Sequence, residues 1–222
     1  MTPPCPMGGR CWSWWRPTLL TAGGIVAAIG VWSCLTGQTA PISDEGHVVE
    51  TLQAGLWGFS ALVALLAIAR QPASADRGFA AWMAAVGLVA LWRELDLHVV
   101  LNQLFPVRFK SLWLLDPTVP WWHRTTWVVL GIGLATALVA PLWRRRGPLM
   151  ALLRGGDAGI GLIAIALACL VLGYVVDDVV GRGLVLSRSH SRIIEETIEL
   201  LGVLAWCASS LVHWRWPLTS KA

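Results

Sequence analysis

The stretch LVALWRELDLHVVL, residues 88–101, decides how this chain is interpreted. It continues a long apolar run, yet it contains four ionisable side chains within six residues: Arg93, Glu94, Asp96 and His98. An ionisable group inside a membrane helix is costly and by default indicates a functional site. These four groups indicate such a site only if the rest of the chain is a membrane protein, and the kind of site depends on which side chains they contact.

The composition is typical of a membrane protein. Of the 222 residues, 56% are hydrophobic and 14% are charged, whereas soluble domains carry roughly 25% charged residues. A membrane-crossing helix needs about 20 apolar residues, and six segments meet or approach this length: 18–36, 51–70, 78–101, 125–143, 158–177 and 194–213. We therefore predict an all-α, polytopic membrane bundle of about six transmembrane helices, forming a single domain over residues 1–222.

The first segment, 18–36, could be mistaken for a signal peptide. Its apolar run is longer than the usual signal-peptide core of about 7–15 residues, so we predict a retained helix. No block of like charge is long enough to indicate binding to nucleic acid. The sequence instead predicts a multi-pass membrane protein, with the lipid bilayer as its surroundings.

The distribution of basic residues predicts the orientation, because cytoplasmic loops carry an excess of lysine and arginine. With the amino terminus inside, ten basic residues fall on the cytoplasmic side and six on the other, with Arg93 within a helix. Both termini are therefore predicted to face the cytoplasm. Eleven of the thirteen acidic residues then fall on the outer side or in the outer third of a helix.

This asymmetry predicts one outward-facing polar site built from three helix ends. Glu94 and His98 are four residues apart and would share a face of a continuous helix. Asp96 lies about 200° around from Glu94, so it joins them only if the helix unwinds; otherwise it pairs with Arg93. The groups expected to support the site are Arg93, Asp96, Asp177, Asp178 and Glu195.

The sixth segment brings three acids close together in its first turns. Glu195, Glu196 and Glu199 crowd one side of a helix and would repel one another unless a cation, shared protons or arginines compensate them. A helix amino terminus also favours acids through its dipole, but that effect fades within the first turn and explains Glu199 less well. We predict Glu94, His98, Glu196 and Glu199 as catalytic residues, and Glu94, His98 and Glu199 as ligands of a divalent metal ion.

Basic residues on the outer side suggest a second element of the site. Arg108 and Lys110 follow RELDLH, and Arg192 precedes the acids of the sixth segment. Arginine and lysine at headgroup level suit a lipid phosphate. These three residues are predicted to bind an anionic, lipid-like substrate, although they could instead neutralise the carboxylates.

The pattern R-E-x-D-x-H, followed by Phe109 and Lys110 and then by E-E-x-x-E-L at 195–200, resembles a group of small bacterial inner-membrane proteins. The resemblance covers about a third of the chain. It implies that these residues belong to one unit, and it implies no activity.

Three functions are compatible with these features. The first is a metal-dependent hydrolase or transferase acting on an anionic lipid. The second is a proton- or cation-coupled transporter, which needs polar groups that continue toward the cytoplasm; the inner halves of the predicted helices look apolar, which favours the enzyme. The third is a structural or assembly subunit that docks a partner through the polar cluster.

Overall fold

The computed structural model describes residues 48–71, 74–101, 116–176 and 188–215, together with Gly24 and Val31. This part of the chain is entirely helical, with seven helices and no strand. They are α1 (Val48–Arg70), α2 (Ser74–Glu94), α3 (Leu97–Val100), α4 (Trp121–Arg144), α5 (Arg146–Arg154), α6 (Ala158–Val175) and α7 (Arg188–Arg215). Among the described residues, four helices are long and apolar enough to cross a membrane, namely α1, α4, α6 and α7.

The helices follow the predicted segments closely, with one interruption. The segment predicted at 78–101 is not one continuous helix, because α2 ends at Glu94 and the short α3 begins at Leu97. Asp96 between them has a positive φ of 48°, a conformation that ends a right-handed helix and that aspartate tolerates better than most residues. Residues 18–36 lie outside the described part of the chain, apart from Gly24 and Val31.

Local signals explain where α5 ends and α6 begins. Gly156 has a φ of 78°, and Asp157 donates its backbone N–H to the Leu152 carbonyl at 2.9 Å. This left-handed glycine closes the end of α5 as in a Schellman motif. Asp157 then caps α6, because its carboxylate accepts a hydrogen bond from the Ile160 backbone N–H at 2.9 Å.

The turn before α4 is also built from short polar contacts. The Asp116 carboxylate accepts hydrogen bonds from the Thr118 hydroxyl at 2.7 Å and from the Thr118 backbone N–H at 2.8 Å. These bonds hold the pKa of the exposed Asp116 carboxyl below its ordinary value. Two residues later Pro120 precedes the first turn of α4.

Helix α7 packs along α6 and α1, and side chains of α2, which itself packs along α1, also reach α7. Gln53 of α1 and Gln71, the residue after α1, contact residues near opposite ends of α7, and the order of these contacts makes α1 and α7 parallel. Helices α2 and α6 run in the opposite direction. The amino-terminal ends of α1 and α7 therefore meet the carboxyl-terminal ends of α2 and α6. We call this the glutamate end, after Glu94, Glu196 and Glu199, and the other the histidine end, after His213.

Three tryptophans fill the middle of the bundle. Trp206 of α7 is completely buried, and its ring lies 5.9 Å from that of Trp57 and 5.4 Å from that of Trp82. These separations are typical of tilted aromatic pairs. Trp82 also donates its indole N–H to the Leu138 carbonyl at 2.8 Å, which fastens α4 to α2.

We expect Trp206→Ala to destabilise the folded protein strongly. Association of membrane helices depends on packing, and the volume lost would leave a cavity costing roughly 3 kcal/mol at the usual cost per unit volume. Trp121→Ala is the matched control, because Trp121 is 71% exposed. Thermal unfolding in the same detergent measures both, and equal melting temperatures for the two variants would contradict the tryptophan core.

Candidate functional site

The glutamate end brings together charged side chains from three helices. Helix α1 contributes Glu50, α2 contributes Arg93 and Glu94, and α7 contributes Arg192 and three glutamates. The buried carboxylates are those of Glu94, Glu196 and Glu199, with 8% of each side chain exposed. The convergence predicted between the third and sixth segments is therefore present in the described residues.

Arg93 joins α2 to α7. Its Nη2 lies 2.9 Å from Glu199 Oε1, and its Nη1 lies 3.5 Å from Glu94 Oε1. One guanidinium thus balances two carboxylates that are buried on neighbouring helices. This contact replaces the Arg93–Asp96 pair expected as one alternative, because the helix ends before Asp96 and leaves that side chain exposed.

Arg192 makes a second ion pair, between α7 and α1. Its Nη2 lies 3.3 Å from Glu50 Oε1, and its Nε lies 3.9 Å from Glu196 Oε1. The guanidinium predicted to bind an anionic substrate is therefore already engaged with carboxylates of the chain itself. Arg108 and Lys110, the other two residues predicted for that role, lie outside the described residues, as do Asp177 and Asp178.

Gln53 of α1 is the polar residue at this end that the sequence argument missed. It is 1% exposed, and its Nε2 donates to the backbone carbonyl of Glu196 and to Glu196 Oε2, both at 3.2 Å. Its Oε1 is buried without a hydrogen-bond partner. The sequence signal that could have revealed Gln53 is a single amide side chain in a mostly apolar segment, three residues after Glu50.

Gly173 of α6 makes room for Glu199. A Cβ added at Gly173 would come within 2.8 Å of Glu199 Cγ and 3.3 Å of Glu199 Oε1. Because real Cβ atoms do not approach so closely, only glycine allows the Glu199 side chain to lie against the α6 backbone. In sequence this glycine was interpreted only as a helix-packing residue.

The relation between Glu94 and His98 differs from the prediction. The two residues were placed on one face of a continuous helix, but the break at Leu95 and Asp96 separates them onto α2 and α3. Within the described residues, no group of three or more histidine, cysteine, aspartate or glutamate side chains is arranged to hold a metal ion. Glu195 and His98 are partly buried near the site.

Polar residues are also buried at the histidine end, which the sequence argument expected to be apolar. Asp76 is 3% exposed, His213 is 4% exposed and Gln71 is 7% exposed. Asp76 belongs to α2, His213 belongs to α7, and Gln71 is the residue that follows α1. The expectation failed because these residues lie at segment ends, where sequence alone assigns polar groups to water.

Comparison with protein-family models, with curated proteins and with solved structures finds no match for this chain. The interpretation of the site therefore rests on its geometry.

We expect Gly173→Ala to displace Glu199 and to weaken its contact with Arg93. Gly133→Ala is the matched control, since a Cβ there meets nothing within 4 Å and alanine is favoured over glycine in a helix by about 1 kcal/mol. Melting temperatures should fall for Gly173→Ala and rise or stay level for Gly133→Ala. A Gly173→Ala protein as stable as the Gly133→Ala protein would contradict the close approach.

A double-mutant cycle tests the ion pair itself. Arg93→Gln leaves two buried carboxylates without their shared guanidinium, so we expect it to destabilise the protein by about 1–3 kcal/mol, reduced from the fully buried value because half of the Arg93 side chain is exposed. In the Arg93→Gln, Glu199→Gln double variant the loss should be smaller than the sum of the two single losses. Additive losses, measured by the same unfolding assay, would show that the two side chains do not interact.

Proposed function

We propose that this is a multi-pass inner-membrane protein that binds a proton at the glutamate end and acts as a proton-coupled transporter, with a cation-coupled transporter as the alternative. Glu94, Glu196 and Glu199 are the proposed binding groups. The observation that carries the proposal is that, among the described residues, three buried carboxylates meet two guanidiniums at this end of the bundle. Two of these carboxylates, those of Glu196 and Glu199, belong to a helix long and apolar enough to cross a membrane.

The charge balance explains why a cation is needed. Among the residues that the structure describes, the three buried carboxylates of Glu94, Glu196 and Glu199 pair with Arg93 and Arg192, so three negative charges face two guanidiniums when all three carboxylates are ionised. Burial penalises each uncompensated charge, and like charges at short range raise that penalty. A proton shared between carboxylates, or a bound cation, removes it.

The neutral side chain of Gln53 supports the same conclusion. Its buried Oε1 is an acceptor without a donor, and leaving such a group unpaired costs about 1–3 kcal/mol. A bound cation would be coordinated by this oxygen, either directly or through a water molecule bound to the cation. A proton on Glu196 would serve it as well, since a protonated carboxyl can donate a hydrogen bond.

The buried polar residues at the histidine end favour a transporter over an enzyme. A carrier needs polar groups toward both faces of the membrane, and α7 carries Glu196 and Glu199 near one end and His213 near the other. In the proposed orientation both termini face the cytoplasm and the glutamate end faces outward, which is supported by the excess of basic residues on the cytoplasmic side.

A metal-dependent hydrolase or transferase acting on an anionic lipid is the second candidate. The observation that favours it is the exposure of Arg93, whose side chain is 55% exposed while it pairs with two buried carboxylates. The open part of that guanidinium suits a phosphate at headgroup level. In this case the bound cation would serve catalysis at the glutamate end and would not cross the bundle.

We expect the purified protein to lose its cation binding in Glu199→Gln. Metal content is measured by mass spectrometry after purification without chelators, and proton or cation uptake is measured in proteoliposomes under an imposed membrane potential. Uptake by the wild type should exceed that of empty liposomes and should fall to that level in Glu199→Gln. Asp116→Asn is the control, because Asp116 lies in an exposed turn outside the site.

The outcomes separate the candidates. Uptake that depends on Glu199 supports the transporter. A stoichiometric metal in the purified protein then identifies the coupling ion as a metal cation, and its absence identifies it as a proton. A stoichiometric metal that is lost in Glu199→Gln, without any uptake, supports the enzyme instead. A wild type with neither metal nor uptake contradicts the cation site.

A further inference from the structure

Helix α6 presents a glycine to each of two titratable side chains of α7. Gly173 faces Glu199, and Gly159 faces His213, where an added Cβ would lie 2.7 Å from Nε2 and 2.9 Å from Cε1. The two contacts are fourteen residues apart on both helices, which is about 21 Å along a helix axis. Both side chains therefore lie directly against the α6 backbone, at opposite ends of one helix pair.

A glutamine lies beside each of these sites. Gln53 donates to the backbone carbonyl of Glu196, and Gln71 donates to the backbone carbonyl of His213, both at 3.2 Å. In both glutamines the Oε1 is buried and has no hydrogen-bond partner. The histidine end thus repeats three features of the glutamate end: a glycine, a titratable side chain and a buried amide oxygen that lacks a donor.

Asp76 supplies a buried acidic residue at the histidine end. It lies one turn before Phe79, whose ring contacts the His213 ring edge-on with centroids 5.0 Å apart. Arg70 lies with its guanidinium 4.4 Å from the centre of the Trp214 ring. The charged residues that α1, α2 and α6 bring to this end are Arg70, Asp76, Arg77 and Asp157. Arg145, between α4 and α5, adds a guanidinium whose Nη2 lies 3.7 Å from where a Cβ on Gly78 of α2 would be.

We propose that the histidine end is a second proton-binding site, in which His213 takes up the proton. A neutral imidazole has one donor, whereas the imidazolium has two. The additional N–H needs an acceptor, and Gln71, which donates to the His213 backbone carbonyl, carries a buried Oε1 that lacks a donor. The buried Asp76 at the same end contributes negative charge that offsets part of the cost of an imidazolium.

The proposal extends the transporter function and rests on it for its role, because a carrier needs a proton-binding group toward each face of the membrane. Proton binding by His213 can nevertheless be measured without transport. The full-length protein, labelled with ¹⁵N-histidine and held in lipid nanodiscs, is titrated between about pH 5 and pH 9, the range in which histidines usually change charge. The His213 signal is identified by its loss in His213→Gln or, if that variant does not fold, by its displacement in Gly159→Ala.

We expect the His213 nitrogens to move from neutral to imidazolium values in a single titration. Gln71→Met removes the amide oxygen at similar volume, and it should lower the midpoint by about one pH unit, or about tenfold in proton affinity, because a hydrogen bond to a charged group contributes on that order. Gln53→Met is the matched control at the other end of α1 and should leave the midpoint unchanged.

Two results would overturn the proposal. One is a His213 signal that stays neutral throughout the range in which the protein remains folded, which would make the residue a packing group. The other is an equal midpoint in Gln71→Met and wild type. Glu199→Gln should preserve the His213 titration while removing cation binding at the glutamate end, so the failure of either proposal is visible separately from the failure of the other.

Discussion

The contact of Glu199 with Arg93 and with the α6 backbone holds the glutamate end together. Glu199 belongs to α7, its ion-pair partner lies 2.9 Å away on α2, and the glycine against which it packs lies on α6. A carboxylate in this position is tolerable only while a guanidinium is near it, and the guanidinium can reach it only if α2 and α7 remain in contact. The ion pair and the helix packing therefore depend on each other.

The dependence of helix packing on polar contacts extends across the glutamate end to α1. Arg192 connects Glu196 with Glu50, and Gln53 connects α1 with both the backbone and the side chain of Glu196. In a bilayer, where apolar side chains gain little by leaving lipid, such polar contacts and close packing hold helices together. The site is thus also part of what stabilises the bundle, which is why its neutral variants must be compared for stability before any loss of function is assigned to chemistry.

The tryptophan core between the two ends has a complementary role. Trp57, Trp82 and Trp206 occupy the middle of the bundle, and they separate two polar regions about four helical turns apart along α7. A proton or cation that moved from one region to the other would have to pass this layer, which would require the rings to move. Ser60, three residues after Trp57, and Cys207, next to Trp206, are buried at the same level.

Several features of the protein follow from the sequence alone, because they depend on local composition. Apolar runs of sufficient length predicted that α1, α2, α4, α6 and α7 exist, although α2 ends seven residues before its predicted end and α7 begins six residues before its predicted start. The crowding of acids predicted that α2 and α7 meet at one end. Periodicity failed at Asp96, because whether a residue adopts a positive φ depends on what its neighbours contact beyond the helix. The prediction that Glu94 and His98 share a face failed with it.

Only the tertiary structure decided which charges are paired and which residues make room for them. The sequence offered Asp96 as one partner of Arg93, whereas the structure pairs Arg93 with Glu199 and Glu94, because α2 runs antiparallel to α7 and brings its last turn to the first turns of α7. Two glycines, Gly173 and Gly159, make room for side chains of α7, and two glutamines, Gln53 and Gln71, donate hydrogen bonds to α7. In each case the partner lies more than a dozen positions away along the chain. The sequence determined that buried charge had to be compensated, since lipid cannot solvate it; the packing of the helices determined which partners compensate it.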